Sequence, residues 1–185
     1  MPRRVCPWWL GYLLASPLRR LVYDPRKVLA PYVREGMTVL EPGPGMGFFT
    51  LELARLVGPS GRVVAVDIQP RMLAGLERRV RLAGLAQRVE ARLASPNTLG
   101  LADLTATVDF TLAFALVHEL PAVEAFFAEV AQASKPGAGL LFAEPAGHVK
   151  PADFEAELRA ATQAGFAMAA RPVIRRSQAA FLKKV

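Results

Sequence analysis

The sequence contains very little cysteine and histidine, with Cys6, His118 and His148 the only such residues among 185. A single cysteine excludes a disulfide framework within the chain and a cysteine-rich metal cluster, and it favours a reducing, cytoplasmic setting. Long apolar runs are also missing, since none reaches the roughly 18 residues that a transmembrane helix needs. A short apolar stretch follows two arginines near the start. Pro17 stands where a signal-peptide cleavage site would fall, however, and we expect no secretion signal.

Acidic residues are fewer than basic ones, with 16 Asp and Glu against 23 Lys and Arg, and the net charge is +7. Seven arginines fall between residues 62 and 92 and would suit a nucleic-acid-binding face. Arg71, Arg78 and Arg81, however, lie off the apolar stripe of one predicted helix, as solvated side chains should. An RNA substrate is therefore an alternative that we do not favour. With 52% hydrophobic residues and no repeat or linker, the composition suits one α/β domain.

The most informative stretch is residues 39–50, with the sequence VLEPGPGMGFFT. It predicts a buried strand that ends at Glu41, then a loop with Gly43, Gly45 and Gly47, then the start of a helix. Glycine belongs where the backbone takes a positive φ or approaches a ligand closely. A helix that begins after such a loop directs free N–H groups at whatever lies above it. The stretch therefore predicts a nucleotide-like ligand at the carboxyl end of a strand.

The spacing of these glycines bears on which nucleotide is bound. The dinucleotide fingerprint is G-x-G-x-x-G, whereas Phe48 stands at the position of its third glycine here. A pyrophosphate would also gain nothing from the nearby carboxylate of Glu41, which suits a ligand with a positively charged amino acid portion. S-adenosylmethionine carries an ammonium and a sulfonium group and no phosphate, so the residues favour it over NAD. An NAD-dependent oxidoreductase is the rival interpretation.

Residues 39–50 resemble the first motif of the class I S-adenosylmethionine-dependent methyltransferases, particularly the ubiquinone/menaquinone-biosynthesis branch. The resemblance covers about residues 36–145. It implies an α/β fold with a Rossmann-like, seven-stranded, mostly parallel sheet, an antiparallel last strand and helices on both faces. S-adenosylmethionine would be the cofactor and S-adenosylhomocysteine the product. We expect the methyltransferase domain over residues 36–185 and a helical lid over residues 1–35.

Further cofactor residues are predicted at the ends of the next strands. Asp67 ends an apolar run about 20 residues after the glycine loop, where an acid can accept both hydroxyls of a ribose. A helix cap is the plainer role for this residue, and the two roles are compatible. The resemblance implies that Ile68 lies against adenine. It also places Ser95 where the family commonly has an Asp for the adenine amino group, and Ala115 at the cofactor end of the fourth strand.

The reaction makes small demands on the protein, because the sulfonium is already activated and the enzyme mainly aligns the nucleophile. A general base is needed only when the nucleophile arrives protonated. His118 and His148 follow the predicted fourth and fifth strands, which are neighbours in the family's sheet, and Glu119 and Glu144 stand close to them in sequence. We predict His118 and Glu119 as catalytic residues. A metal site of two histidines and a carboxylate is conceivable, but we predict no metal.

The sequence also narrows the substrate. The Asn/Asp-Pro-Pro-aromatic signature of amino-directed nucleic-acid methylases is missing, and Cys6 is too far away to be the nucleophile of a cytosine C5 methylase. A small, apolar methyl acceptor remains as the leading prediction, and Trp8, Trp9 and Tyr12 supply apolar surface before the core. An RNA or protein methyltransferase is the alternative. A cofactor-binding protein without catalysis is a third class.

Prolines and glycines mark the expected element boundaries. We predict helices that begin at Asp24-Pro25, that cover 47–57, and that run from Pro70 to Gly84, from Pro121 to Gln132 and from Pro151 to Gln163. Strand five is expected over 140–145 after a turn over 135–139. Residues 166–174 and 178–185 read as two strands, and their three-residue connection requires an antiparallel pair.

Overall fold

A computed structural model describes residues 7–185, without the side chains of Tyr12, Leu14, Pro17 and Arg20. The expectations for Cys6 and for the arginines near the start lie outside the described residues. The strands are β1 (Thr38–Pro42), β2 (Arg62–Asp67), β3 (Val89–Leu93), β4 (Val108–Phe114), β5 (Ser134–Pro145), β6 (Phe166–Ala170) and β7 (Ser177–Lys184). The helices are α1 (Leu10–Leu14), α2 (Pro25–Leu29), α3 (Thr50–Leu56), α4 (Pro70–Leu82), α5 (Val123–Ala133) and α6 (Pro151–Gln163). Within residues 7–185, no helix is long and apolar enough to cross a membrane.

The seven strands form one sheet in the order β3-β2-β1-β4-β5-β7-β6. β1 and β3 both pair in parallel with β2, and β4 pairs in parallel with β5. β7 is antiparallel to both of its neighbours, β5 and β6. The predicted fold class, a Rossmann-like, mostly parallel sheet with an antiparallel last strand and accompanying helices, is confirmed.

The chain divides into two compact units, of which the first covers residues 6–95. β1 and β2 are almost entirely buried, as continuous apolar runs predict for parallel strands covered on both faces. α4 packs against β2 and β3 through its apolar stripe. Pro70 begins this helix, and Gly84 follows its last turn with φ +68°, a conformation that favours glycine. Proline and glycine therefore mark the two ends of α4 as the sequence predicted.

The second compact unit contains residues 96–185. α5 packs against α6, and aromatic side chains connect the helices to the sheet. The Phe142 ring on β5 stacks on Phe154 of α6 with a centroid distance of 4.9 Å, and it meets Phe127 of α5 edge-on at 5.7 Å. All three side chains are fully buried. These contacts position the carboxyl end of β5, where Glu144 lies.

Two predicted helix starts were wrong by two or three residues. The helix expected from Gly47 begins at Thr50, because Gly47 has φ +83° and lies in a turn that its N–H closes on the Pro44 carbonyl. The helix expected from Pro121 begins at Val123, because Ala122, with φ −134° and ψ +86°, is not helical. The start of α2 is confirmed, since the Asp24 carboxylate accepts N–H bonds from the first turn.

Two predicted strand limits were also wrong. Strand five begins at Ser134 rather than at residue 140, and the register of its pairing with β4 shifts between Val108 and Phe110. A bulge therefore absorbs the residues that the sequence predicted as a turn. β6 ends at Ala170, just before Pro172, which has no N–H for a strand ladder. The antiparallel pairing of the last two strands is confirmed.

Candidate active site

The glycine loop after β1 has the backbone conformation that its sequence requires. Gly43, Gly45 and Gly47 have φ of +68°, +55° and +83°. A Cβ on Gly45 would meet nothing within 4 Å, so open space lies beside this residue and packing does not explain it. A Cβ on Gly47 would lie 2.5 Å from Leu76 Cδ1 on α4, and Gly47 is therefore also needed for helix packing. At Gly45 the positive φ alone requires glycine, and a role in ligand binding stays a prediction.

The adenosine-binding residues predicted from the sequence follow β2 and β3. Asp67 ends β2 with a buried carboxylate, and its Oδ1 accepts the N–H of Gln69 at 2.9 Å. Ile68 comes next, and its large apolar side chain is 40% exposed. Ser95 is exposed in the turn after β3. A buried acid beside an exposed apolar side chain fits a ribose diol joined to a flat base.

Glu41 is buried at the end of β1 and is only 3% exposed. Its Oε2 accepts the Thr50 hydroxyl at 2.5 Å. Burial raises the pKa of Glu41 to about 7, although the Thr50 hydrogen bond and the positive charge of Arg19 act in the opposite direction. A carboxyl group in this state would gain from a cation close by. The chemistry therefore fits the predicted interaction with the ligand's ammonium group, which remains a prediction.

Residues 7–23 pack on the glycine loop and on α4. A Cβ on Gly11 of α1 would lie 2.6 Å from Met72 Sδ and 3.1 Å from Met46 in the loop, so α1 approaches closely here. The Arg19 guanidinium lies over the Phe48 ring, 4.6 Å from its centroid. Arg71 of α4 lies 4.5 Å from the centroid of a Trp8 ring. Residues 7–23 therefore pack directly on the predicted cofactor loop.

A histidine and a glutamate form a close pair in the second unit. Glu144, near the end of β5, is fully buried, and its Oε2 lies 2.5 Å from His118 Nδ1. Its Oε1 accepts the backbone N–H groups of Val117 at 2.7 Å and Leu116 at 3.3 Å. These bonds orient the carboxylate, and because a carboxylate accepts hydrogen bonds we assign the proton of the pair to His118 Nδ1. His118 Nε2 is left as the basic nitrogen, an arrangement suited to general base catalysis.

The surroundings of His118 favour its protonated form. Burial alone lowers the pKa of His118, but the hydrogen bond and charge of Glu144, with the charges of Glu119 and Glu157, outweigh it and raise the pKa. Glu119 Oε1 lies 3.9 Å from His118 Nε2. The exposed His148 ring meets the His118 ring edge-on, with centroids 5.0 Å apart. The two histidines that the sequence singled out are thus neighbours.

Ala115, predicted at the cofactor end of β4, has an unusual backbone. Its φ is +54°, a left-handed conformation that non-glycine residues rarely adopt, and its N–H donates to the Ala143 carbonyl at 2.7 Å. Such strain costs on the order of 1 kcal/mol and is concentrated at functional sites. Ala115 directly precedes the two residues whose N–H groups bind Glu144. Its turn thereby brings the chain back to that carboxylate.

The hydrogen bond between Glu144 and His118 is the main feature that the sequence interpretation missed, since Glu119 was named as the catalytic carboxylate. A signal was present, because Glu144 ends an apolar strand just as Glu41 and Asp67 do. Within residues 7–185, no group of three histidine, cysteine, aspartate or glutamate side chains is arranged to hold a metal ion. The catalytic role of His118 and Glu119 stays a prediction.

A family model described as a methyltransferase domain matches residues 33–181. The ubiquinone/menaquinone biosynthesis C-methyltransferase UbiE of Klebsiella pneumoniae is 35% identical over 112 residues, which are 60% of this chain and 44% of that protein. The chain therefore spans less than half the length of this relative. The ribosomal protein L11 methyltransferase of Pelotomaculum thermopropionicum is 43% identical over 81 residues, which are 42% of this chain and 25% of that protein.

Solved structures agree with the family match. A SAM-dependent methyltransferase from Aquifex aeolicus is similar with a TM-score of 0.87 and 28% identity, over 98% of this chain and 100% of that chain. TrmN from Thermus thermophilus shares the fold with a TM-score of 0.65 and 23% identity, over 100% of this chain and 53% of that chain. S-adenosylmethionine is the cofactor that these similarities imply, and S-adenosylhomocysteine is its product. This chain belongs to the methyltransferase domain family, among the class I S-adenosylmethionine-dependent methyltransferases.

Proposed function

We propose that this protein methylates a small, apolar acceptor from which His118 removes a proton. The observation that carries the proposal is the hydrogen bond between His118 Nδ1 and the buried Glu144. S-adenosylmethionine, when bound, supplies a methyl group that its sulfonium has already activated. The acceptor gains this methyl group and loses one proton, which His118 Nε2 receives. A base held in this way is useful only for an acceptor that arrives protonated, such as a ring hydroxyl or an acidic C–H.

The first compact unit carries the proposed cofactor residues. Asp67 would bind the ribose diol, Ile68 and Ser95 would border the adenine, and Glu41 would face the amino acid portion. Gly43, Gly45 and Gly47 shape the loop that receives the ligand, and Ala115 follows β4 in the second unit. The donor set is consistent with the cofactor, because it combines carboxylates for hydroxyl and ammonium groups with an exposed apolar side chain for a base.

An apolar acceptor is supported by the surface of residues 7–23. Trp9 is 59% exposed there, and Leu13, Leu18 and Leu21 are exposed as well. Exposed apolar surface of this kind marks a place where ligands or partners bind. The name of the Klebsiella relative places that protein in ubiquinone/menaquinone biosynthesis. An apolar ring that bears a hydroxyl group would combine an apolar surface with a removable proton. The single cysteine agrees with action in a reducing, cytoplasmic setting.

Methyl transfer from labelled S-adenosylmethionine to fractionated cell extract tests this function. We expect label in a small organic-soluble molecule. Label in RNA or in protein would instead favour the alternative substrate classes. Absence of label in every fraction, together with tight S-adenosylhomocysteine binding, would indicate a cofactor-binding protein without catalysis. Micromolar NADH binding without a response to S-adenosylhomocysteine would favour the oxidoreductase.

Asp67→Ala is expected to weaken S-adenosylhomocysteine binding by about 1.5–3 kcal/mol, because a charged acceptor of the ribose hydroxyls is lost. Isothermal titration measures the change. Asp67→Asn is the matched variant, since its side-chain oxygen can still accept the Gln69 N–H and preserve the local turn. Any affinity for S-adenosylhomocysteine that Asp67→Asn loses should come only from the missing negative charge. Unchanged affinity in both variants would place the ribose site elsewhere.

We also propose that the N-terminal segment, predicted over residues 1–35, acts as a lid. The Arg19 guanidinium lies over the Phe48 ring, and α1 runs so close to Met46 that a Cβ on Gly11 would lie 3.1 Å from it, so the segment packs on the glycine loop. Trypsin cleavage near Arg19-Arg20 should therefore slow when S-adenosylhomocysteine binds below the segment. Gly11→Val, which introduces a clash with Met72, should speed cleavage and reduce its response to the ligand. A cleavage rate that is the same with and without S-adenosylhomocysteine would contradict the proposal of a lid.

A further inference from the structure

β3 is the first strand in the sheet order, so among residues 7–185 one side of it is an edge. The Ala94 N–H donates to the Asp67 carbonyl at 2.9 Å, which shows the side that faces β2. Backbone groups of successive strand residues point to opposite sides, so those of Glu90 and Arg92 also face β2. The N–H and C=O groups that point away from β2 belong to Val89, Ala91 and Leu93. An edge with such groups is a template for another strand.

The sequence of β3, Val-Glu-Ala-Arg-Leu, is chemically symmetric about Ala91. If a second β3 pairs antiparallel with a two-fold axis at Ala91, Glu90 stands opposite Arg92 of the second copy. Val89 then stands opposite Leu93 of the second copy. Ala91 would exchange both of its outward backbone bonds with its own counterpart. The charged pairs would occupy the positions between these bonds, where cross-strand side chains lie closest.

The apolar side of β3 supplies a second, independent observation. A groove of about 260 Å³ runs between α4 and β3, and Val80, Val89 and Ala91 are among its lining residues. Leu93 lies on the same face of the strand as Val89 and Ala91, and it is 62% exposed. In the antiparallel pairing, Leu93 of the second copy lies opposite Val89, beside this groove. The same contact, repeated by symmetry, would cover both Leu93 side chains.

We propose that β3 pairs with β3 of a second copy of this chain, about a two-fold axis at Ala91. Charges on an edge strand can also block unwanted pairing. Glu90 Oε1 already accepts a hydrogen bond from Arg92 Nε of the same strand at 2.7 Å, and Arg62 lies 4.0 Å from Glu90 Oε2. Because the acid and the base are placed symmetrically about the strand centre, self-pairing adds an opposite charge from the second copy to each of them. An isologous interface requires this kind of self-complementarity. The two sheets become one continuous sheet in the dimer.

Charge reversal tests the pairing through the oligomeric state, measured by sedimentation or light scattering. The wild-type protein should be a dimer at about 100 μM. Arg92→Glu and Glu90→Arg each place like charges opposite one another, and each should raise the dimer Kd at least about tenfold. The double variant E90R/R92E restores opposite charges across the axis and should restore the dimer. Thermal melts of each variant verify that β3 remains folded.

Leu93→Lys provides a second disruption that leaves the charged pair intact, and it should also give a monomer. Met168→Lys is the matched control, because Met168 is an exposed residue of β6, the last strand in the sheet order. It should leave the dimer unchanged.

Hydrogen exchange should slow at the Val89, Ala91 and Leu93 amides as the dimer forms. A wild-type monomer at about 100 μM, or a dimer that tolerates both Arg92→Glu and Leu93→Lys, overturns the proposal. A peptide of another protein would then be the remaining candidate for binding to this edge.

Discussion

Replacing His118 by alanine is expected to lower kcat for methyl transfer by about 10²- to 10⁴-fold, the contribution of a positioned general base. His118 Nδ1 is bound to the buried Glu144, so its Nε2 is the nitrogen that can accept a proton. S-adenosylhomocysteine affinity should stay close to that of the wild type, because the proposed cofactor residues of the first unit are unchanged. Single-turnover rates with the labelled acceptor and titration calorimetry separate the two effects.

The pH dependence distinguishes a base from a residue that only supports the fold. The neutral imidazole is the active form, so the rate should rise as pH passes through the pKa of His118, which its carboxylate neighbours raise above 6.5. Glu144→Gln removes the nearest charge, and the rise should therefore move to lower pH while the plateau rate falls. The histidine NMR signals should report the same change in the pKa of His118.

His148→Gln is the matched control for these variants, because His148 is exposed and lies beside the His118 ring. This variant should keep most of the wild-type kcat. If His118→Ala retains full activity towards the identified acceptor, the pair of His118 and Glu144 only stabilises the turn after β4, and the acceptor arrives without a proton to lose.

The second large effect concerns stability, where Glu41→Gln should make the protein more stable at alkaline pH. Burial raises the pKa of Glu41 from 4.5 to about 7, so the folded state holds this proton more tightly than the unfolded state. Stability contributed by the protonated form is present at low pH and is lost as pH rises from about 5 through 7. Because one pKa unit corresponds to 1.36 kcal/mol, the ionised carboxylate costs about 3 kcal/mol above that range.

Glutamine has nearly the same shape as the protonated glutamate, and its oxygen can still accept the Thr50 hydroxyl. We therefore expect little difference between variant and wild type near pH 5 and about 3 kcal/mol in favour of the variant above pH 8. Urea unfolding at a series of pH values measures this difference. Glu77→Gln removes the same charge from an exposed position of α4 and serves as the control. A constant difference between Glu41→Gln and wild type across pH would contradict the prediction.

Local patterns were enough to predict the fold class and the backbone of the glycine loop after β1. Gly43, Gly45 and Gly47 stand where the backbone takes positive φ. Such a local conformation can be predicted from the residue type, because glycine adopts positive φ readily. Asp67 and Ile68 follow an apolar run that forms a buried parallel strand. Alternation of such runs with helical segments predicts a doubly wound sheet, because each element must bury its apolar face against the other kind.

The sequence by itself therefore determined the class of fold, the family and the glycine conformations of the loop after β1, whereas the tertiary structure decided which distant side chains meet. His118 and Glu144 are 26 residues apart, and their bond depends on the register that places Phe114 opposite Ala143. Shifting this pairing by one residue would turn Glu144 to the other face of the sheet. The hydrogen bond from Thr50 to Glu41 and the position of the Arg19 guanidinium over the Phe48 ring are likewise tertiary contacts. Such contacts depend on packing between elements, which short-range patterns do not encode.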